Sequence, residues 1–349
     1  MKKIAMIIMV AVIGTVLCGC GSKSVQEQFI AMDTVIAFRA DGKQAKNAVE
    51  QAQSEIFALE ALLSRTRENS EVSVLNRAEG RETEVSEPLW QLLKAAKEYD
   101  RVTDGAFDVT ISPVCDAWGF TSDNKQVPEA AELEQLLKLV DSDRIDVGEG
   151  SATLGEGQTV DLGGIAKGYA SDLMQALYER YDITRGTVSL GGNIYVKGTK
   201  EDGSLWKIGV QDPKEPGNGT LVGMVGLQDA FAVTSGGYQR YFEENGQIYH
   251  HIIDPATGYP AESGLTSVTV IASASEIEDG SAGHGTMCDA LSTALFVMGE
   301  ERALEFWRDG ELEFELILVT DDDRVVVTSG IWEQFEPSHQ EVYTYEVAS

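Results

Sequence analysis

Residues 160–174 read VDLGGIAKGYASDLM, which is a short apolar segment, a glycine pair and then a helical pattern. From Ile165 onward the apolar side chains recur at the spacing of one helix face, so the stretch predicts a strand, a turn and a helix. Glycines at 163 and 164 allow a ligand to approach the backbone, and N–H groups at a helix start favour an anion. Lys167 would add a positive charge there. An ordinary turn with a solvated Lys167 satisfies the same pattern.

The segments on either side of this stretch alternate between helical and strand patterns. Helical spacing predicts helices near residues 43–63, 88–102, 113–118, 129–140 and 288–299, the last ending at Gly299. Short β-branched segments predict strands near residues 29–40, 143–149, 151–154, 186–198, 206–211, 221–227, 230–235, 266–273, 314–320 and 324–329. We expect residues 64–76 to form a surface loop. The fold class is therefore predicted as α+β, with a mixed or antiparallel sheet core and helices packed on it.

Composition restricts the class of partner. The 349 residues include 57 acidic and 27 basic side chains, which gives a formal net charge of −30. Nucleic acid is an unsuitable partner, because binding its phosphates requires basic patches that this sequence lacks. The hydrophobic fraction of 43% is typical of a globular chain that is long enough for one large domain or two closely packed lobes.

The N-terminus has the layout of a bacterial export signal. Two lysines precede an apolar run at residues 4–17, which is short for a membrane span. The run ends in LCGC at residues 17–20, which resembles a lipobox. We therefore interpret residues 1–19 as a lipoprotein signal, Cys20 as the lipidated first residue and residues 20–28 as a tether. Plain secretion and a short anchor helix are the alternatives. This interpretation places the protein outside the cytoplasm, on a bacterial membrane.

Residues 29–335 are predicted to form the functional domain, with residues 336–349 as a C-terminal tail. Cys115 and Cys288 lie within the domain, and neither has neighbours spaced for metal binding. One disulfide between them is compatible with export, but their spacing does not require it. We expect both thiols to be buried or free.

Three groups of side chains are candidates for chemistry. Asp108 follows a glycine turn in a predicted short strand at residues 104–110, where it can bind a ligand or cap the next helix. His251 ends a predicted strand and can accept a proton at neutral pH or be structural. Asp289 and Thr293 are four residues apart on a helix, so their oxygens lie on one face and suit Mg²⁺. The alternative is structural: an N-cap Asp and a Thr bonded back to its own helix account for the same pair without a ligand.

Five segments together resemble one family. They read GAFDVT at 105–110, DLGGIAKGY at 161–169, SLGGN at 189–193, HIIDPATG at 251–258 and DALSTALFVMG at 289–299. In this order they closely resemble the FAD:protein FMN transferases of the ApbE family, over roughly residues 30–332. Each segment alone is a weak motif, whereas five in register are specific.

The resemblance implies a reaction and a set of roles. FAD binds with Mg²⁺, a Ser or Thr hydroxyl of an acceptor protein attacks the phosphate next to riboflavin, and AMP leaves while FMN stays attached. By resemblance, Asp289, Thr293 and the Gly164 carbonyl bind the metal, and His251 accepts the hydroxyl proton. The remaining matched positions contact FAD: Met32, Ala106, Phe107, Asp108, Asp161, Lys167 and Ile253.

Two features depart from the family pattern, and two rival functions remain at this point. Residues 275–288, with Glu276, Glu278, Asp279 and His284, form a longer link than usual, and Cys288 replaces a small apolar residue.

An Mg²⁺-dependent FAD pyrophosphatase would use water as the nucleophile and release FMN and AMP. A flavin-binding or solute-binding lipoprotein without chemistry is the other rival, although a two-lobed receptor normally shows repeated parallel β-α units.

Overall fold

The computed structural model describes residues 24–120, 122, 124–274 and 282–349. The predicted signal at 1–19, the lipidation site Cys20, and Glu276, Glu278 and Asp279 lie outside these ranges. None of the helices in the described ranges has the length and apolar character that a bilayer span requires.

Helices and short strands alternate along the described chain. The helices are α1 (Ala45–Leu63), α2 (Glu71–Asn76), α3 (Glu87–Val102), α4 (Ser112–Trp118), α5 (Ala130–Leu136), α6 (Ala166–Arg180) and α7 (His284–Asp309). The strands are β1 (Ser24–Ala31), β2 (Thr34–Asp41), β3 (Thr83–Glu84), β4 (Asp146–Gly148), β5 (Ser151–Thr153), β6 (Arg185–Leu190), β7 (Asn193–Lys197), β8 (Trp206–Gln211), β9 (Leu221–Leu227), β10 (Ala230–Gly236), β11 (Tyr241–Glu244), β12 (Gln247–His250), β13 (Leu265–Ser273), β14 (Glu315–Thr320), β15 (Arg324–Thr328), β16 (Phe335–Pro337) and β17 (Thr344–Ala348).

A nine-stranded sheet forms the centre of the fold, in the order β1-β2-β6-β7-β10-β13-β14-β15-β17. Its neighbouring strands are antiparallel except for the β15–β17 pair, which is parallel. Smaller sheets of two or three strands join β11 with β12, β16 with β9 and β8, and β3 with β5 and β4. The predicted α+β class, with a mixed sheet and helices packed on it, is confirmed.

Side chains alternate between the two faces of the central strands, so the sheet carries a separate hydrophobic core on each face. On β10, Phe231 and Val233 face the helices, whereas Ala230 and Ala232 face the β16-β9-β8 sheet. Helices α6 and α7 pack on the first face and contact each other directly. The end of the sheet where β7 begins and β10 ends is therefore bordered by both helices.

The two ends of the domain differ from the predicted boundaries. The segment predicted as one strand at 29–40 is a hairpin, and β1 already begins at Ser24, inside the predicted tether. The turn consists of Met32 and Asp33, with φ of 50° and 57°, as a two-residue hairpin turn requires. At the other end, the predicted tail contributes β17 and most of β16, which pair with β15 and β9.

Internal segments also differ from the predictions, and the apolar segment at 160–162 forms no strand before its turn. The loop predicted at 64–76 contains α2, which Ser70 caps by accepting a hydrogen bond from the Ser73 N–H. Residues 104–110 form no strand, because Asp108 starts a 3₁₀ turn at Val109–Ile111 instead. Helix α7 begins at His284 and continues beyond Gly299, where φ is 82° and the helical path is broken.

Candidate active site

A cavity of about 1420 Å³ opens at this end of the sheet, between the β1–β2 turn, the loop after α1, the start of α6 and helix α7. All of the predicted site residues in the described ranges line it. They are Met32, Ala106, Phe107, Asp108, Asp161, Gly164, Lys167, His251, Ile253, Asp289 and Thr293.

Asp289 and Thr293 lie against the glycine turn. Asp289 is 3% exposed, and its Oδ2 accepts a hydrogen bond of 2.8 Å from the Gly168 N–H in the first turn of α6. A Cβ built on Gly164 would lie 3.6 Å from Thr293 Oγ1 and 3.1 Å from the Phe107 ring. The carboxylate, the hydroxyl and the Gly164 backbone therefore converge on one place, and a side chain at 164 would press on the Phe107 ring.

Close contact between α6 and α7 fixes this arrangement. A Cβ on Gly168 would lie 2.3 Å from the Gly285 carbonyl oxygen, so the two backbones approach as only glycine permits. Asp172 accepts hydrogen bonds from the N–H groups of Gly285 and Thr286 at 2.7 and 2.9 Å, and from the Thr286 hydroxyl at 2.5 Å. These bonds satisfy donors at the N-terminus of α7. Asp172 thus holds the helix that carries Asp289.

The turn at 160–164 is held by two residues for which we had predicted no role. The Asn76 side chain bonds both the N–H and the carbonyl of Val160, at 2.8 and 2.9 Å. Arg65 Nη1 donates to Asp161 Oδ2 at 3.0 Å, and Arg65 also pairs with Asp116. Asp161 Oδ1 accepts from the Gly163 N–H at 2.8 Å. The orientation of Asp161 therefore depends on Arg65, a cation that is only 15% exposed.

Lys167 and Asp108 make local contacts in the cavity wall. Lys167 Nζ donates to the Gly163 carbonyl at 3.1 Å, so it contacts the turn as well as the cavity. Asp108 Oδ1 accepts from the backbone N–H and the hydroxyl of Thr110, at 2.7 and 2.6 Å. It therefore caps the 3₁₀ turn that precedes α4 and also lines the cavity. Burial raises the pKa of Asp108 to about 6.

His251 follows β12 directly, at the mouth of the cavity. Its backbone N–H and ring Nδ1 both contact the Arg240 carbonyl, at 3.1 and 3.2 Å. A proton on Nδ1 makes Nε2 the accepting nitrogen. Burial, followed by the nearby Arg240 charge, lowers the pKa of His251 to about 4. The ring is therefore neutral at pH 7, as a proton acceptor must be.

Ser235 at the end of β10 adds a hydroxyl beside the metal candidates. Its Oγ lies 2.8 Å from Ser292 Oγ and 3.3 Å from Thr293 Oγ1. Sequence reasoning missed it because the contact joins residues that are 58 positions apart. Arg65 was missed for a similar reason, since its partner Asp161 is 96 positions away.

The cavity differs in charge from the rest of the chain. The chain has about two acidic residues for each basic one, whereas the lining holds five of each kind. The basic members are Arg65, Arg67, Lys125, Lys167 and Arg240, and the acidic members are Asp33, Glu60, Asp108, Asp161 and Asp289. An anionic ligand is repelled less here than elsewhere on this acidic protein.

The oxygen donors fit Mg²⁺. This ion prefers oxygen ligands and keeps several positions for waters and substrate phosphates. Asp289, Thr293 and the Gly164 carbonyl supply hard oxygens, and within the described residues Asp289 Oδ1 has no hydrogen-bond partner. The described residues contain no group of three His, Cys, Asp or Glu side chains arranged for a metal. A metal ion here would therefore take its remaining ligands from water and from the bound substrate.

Both described cysteines are free thiols, as we expected. Cys115 is half-buried in the cavity wall and Cys288 is buried on the inner face of α7. Burial raises the pKa of Cys115 to about 12 and the pKa of Cys288 above its ordinary value. Neither thiol is therefore a nucleophile at neutral pH.

Comparison with known proteins gives one consistent result. The family model described as the ApbE family matches residues 32–318. The chain is 33% identical to an FAD:protein FMN transferase of Haemophilus influenzae over 82% of each chain, and 30% identical to one of Treponema pallidum over 92% and 93%. An ApbE protein structure from Thermotoga maritima superposes with a TM-score of 0.77 at 31% identity, covering 91% of this chain and 98% of that one. The apo flavinyl transferase ApbE of Pseudomonas stutzeri gives the same TM-score and coverage at 26% identity.

Proposed function

The chain is a transferase that belongs to the ApbE family, and we propose that it moves FMN from FAD to a Ser or Thr hydroxyl of an exported acceptor protein. The observation that carries the proposal is the convergence of Asp289, Thr293 and the Gly164 turn in one cavity. The hydroxyl oxygen forms a bond to the phosphorus next to riboflavin, the bond between the two phosphates breaks, and AMP leaves. Such a reaction requires positioning and charge stabilisation more than covalent catalysis.

The residues of the chain have separate roles in this reaction. Neutral His251 accepts the proton of the attacking hydroxyl at Nε2. Lys167 and Arg65 place positive charge near the turn, and buried Phe107 supplies an apolar wall. Asp289, Thr293 and Gly164 would hold Mg²⁺, which polarises the phosphates and stabilises the charge on the leaving group.

The test combines protein, FAD, Mg²⁺ and a candidate acceptor. We expect a covalent flavin-fluorescent band and AMP, with the mass of FMN added to a Ser or Thr of the acceptor. Asp289→Ala should abolish both products, because the carboxylate is the only charged group among the three proposed ligands. The control Asp202→Ala removes an exposed carboxylate outside the cavity and should leave activity unchanged. Free FMN and AMP without a labelled acceptor would instead indicate the pyrophosphatase.

Anchoring is a separate part of the proposal. The pattern of residues 1–20 supports a lipid on Cys20 and a location on the outer side of a bacterial membrane. In cells, Cys20→Ala should move the protein from the membrane fraction to a soluble fraction or block its maturation. A membrane-bound Cys20→Ala protein with a normally cleaved signal would contradict the anchor.

A further inference from the structure

Asn193 is a buried amide in the cavity wall without a stated role. It is 1% exposed, and its Nδ2 has no hydrogen-bond partner within the described residues. Several other buried polar atoms in the described ranges also lack partners, but Asn193 is the one such residue that lines the cavity. Native proteins rarely leave a buried donor unpaired, and a functional site is one of the recognised reasons.

The sheet register places Asn193 beside the metal candidates. Asn193 on β7 is directly opposite Val233 on β10, so both side chains project from the face that packs on the helices. Ser235 is two residues further along β10 on the same face, and its hydroxyl is 3.3 Å from Thr293 Oγ1. Diagonal neighbours of this kind are about 7–8 Å apart, so one phosphate group can span the distance from the Thr293 side to Asn193.

The preceding glycines fix the position of this amide. A Cβ on Gly191 would lie 2.1 Å from Thr34 Oγ1, and φ of Gly192 is 106°. The Gly-Gly turn therefore packs directly against the β1–β2 hairpin, next to Met32. This explains why the SLGGN segment at 189–193 has two glycines before Asn193.

From these observations we propose that Asn193 is a substrate-contacting residue whose side-chain amide donates a hydrogen bond to a phosphoryl oxygen of bound FAD. The inference rests on the proposed function, since FAD is the ligand. Phosphoryl oxygens at neutral pH only accept hydrogen bonds, which matches the missing acceptor for Nδ2. Helix α6, which begins just after the glycine turn at 163–164, also packs on β7.

The test measures FAD affinity without turnover, in EDTA, together with the thermal midpoint of the ligand-free protein. Asn193→Ala should weaken FAD binding about tenfold, because a hydrogen bond to a charged group is lost, while the ligand-free midpoint changes little. Asn193→Asp should bind FAD more weakly still, since its carboxylate repels the phosphate. The matched control is Tyr195→Phe, which removes an unpartnered buried hydroxyl two residues along the same strand, outside the cavity. It should not change FAD affinity.

The FAD affinity of Asn193→Asp relative to that of Asn193→Ala decides between the interpretations. If Asn193→Asp, which has the native shape, binds FAD better than Asn193→Ala, or if Asn193→Ala binds like the wild type, the phosphate contact is wrong. A large fall in the ligand-free midpoint with unchanged FAD affinity would show a structural role instead. Failure of the wild-type protein to bind FAD both in EDTA and with Mg²⁺ present would overturn the proposed function itself, which is a distinct outcome.

Discussion

The two sides of the cavity are built differently. One side, the helix wall, consists of α6 and α7, where Asp172 and Asp289 are each 3% exposed and accept hydrogen bonds of 2.5–2.9 Å. The other side, the mouth, consists of residues 32–34, 64–67 and 238–251. There the ion pair between Arg240 and Asp33 spans 3.8 Å, with the side chains 44% and 83% exposed.

This contrast separates two requirements of a transferase. Exposed ion pairs contribute about 0–1 kcal/mol, so the mouth can change shape at little cost while substrates enter. The helix wall is close-packed, and atoms that position a phosphate there cannot shift independently. Substitutions should therefore have large effects in the helix wall and graded, smaller effects at the mouth.

Among substitutions that keep the proposed metal ligands, the largest effect is expected for Gly168→Ala in the helix wall. The new Cβ would meet the Gly285 oxygen at 2.3 Å and Asp289 Cβ at 2.7 Å, so α6 and α7 must separate. Overpacking of this kind costs about 1–3 kcal/mol, and displacement of the carboxylate should lower turnover about 100-fold. Urea denaturation and a flavin-transfer assay measure the two effects. The matched control is Gly226→Ala outside the cavity, whose Cβ would meet the Leu205 side chain at 3.1 and 3.4 Å and come no closer than 3.7 Å to the Gln334 carbonyl oxygen.

If Gly168→Ala kept wild-type stability and turnover, close contact between α6 and α7 would not be needed to position the Asp289 carboxylate. That result would remove the distinction between the two sides of the cavity.

An intermediate effect is expected for Arg65→Gln, because Arg65 belongs to the mouth but is only 15% exposed and bonds to Asp161, just before the helix wall. Loss of the bonds to Asp161 and Asp116 frees the Asp161 carboxylate and removes a cation from the cavity. KM for FAD should rise about tenfold, with a smaller change in kcat, because a substrate-binding group is lost. Arg67→Gln is the control, since Arg67 is 52% exposed and, among the residues that the structure describes, forms its one ion pair with Glu60. Equal effects of the two substitutions would argue against a special role for Arg65.

The smallest effect at neutral pH is expected for Arg240→Gln at the mouth. The positive charge of Arg240 contributes to the lowered pKa of His251, which is about 4, although burial is the larger cause. Its removal should raise that pKa, so the acid limb of the pH profile of kcat/KM moves upward. At pH 7 the ring stays neutral, and the rate should change less than about twofold.

Asp33→Asn breaks the same ion pair but keeps the Arg240 charge near His251, so it should leave the acid limb in place. A shift of equal size in both variants would show that the ion pair, rather than the charge near His251, determines the pH at which kcat/KM falls on the acid side.

Local patterns predicted most of the individual elements. Helical spacing located α1, α3 and α6 because the period depends on neighbouring residues alone, and the strands from β6 to β10 follow from short apolar runs between turns. The cluster of site residues was predictable only through the family resemblance, since Met32 and Thr293 are far apart along the chain.

Contacts between distant residues were not predictable from the pattern. Asp172 and Gly285 are 113 positions apart, and nothing in the sequence near Asp172 distinguishes it from an exposed helical aspartate. Strand β17 was missed because Thr344–Ala348 is recognisable only through its pairing with β15. Asp108 left two interpretations open at the sequence level, and the structure shows it as a cap that also lines the cavity.

The early start of β1 at Ser24 has a geometrical consequence for an anchored protein. With the lipid on Cys20, the chain between Cys20 and Ser24 reaches at most about 14 Å. The eight residues of β1 then extend about 27 Å to the turn at Met32, which borders the cavity. If Cys20 carries the proposed lipid, the opening of the cavity would lie within about 40 Å of the bilayer surface. Hydroxyls that receive flavin should accordingly belong to proteins that are themselves held close to that membrane.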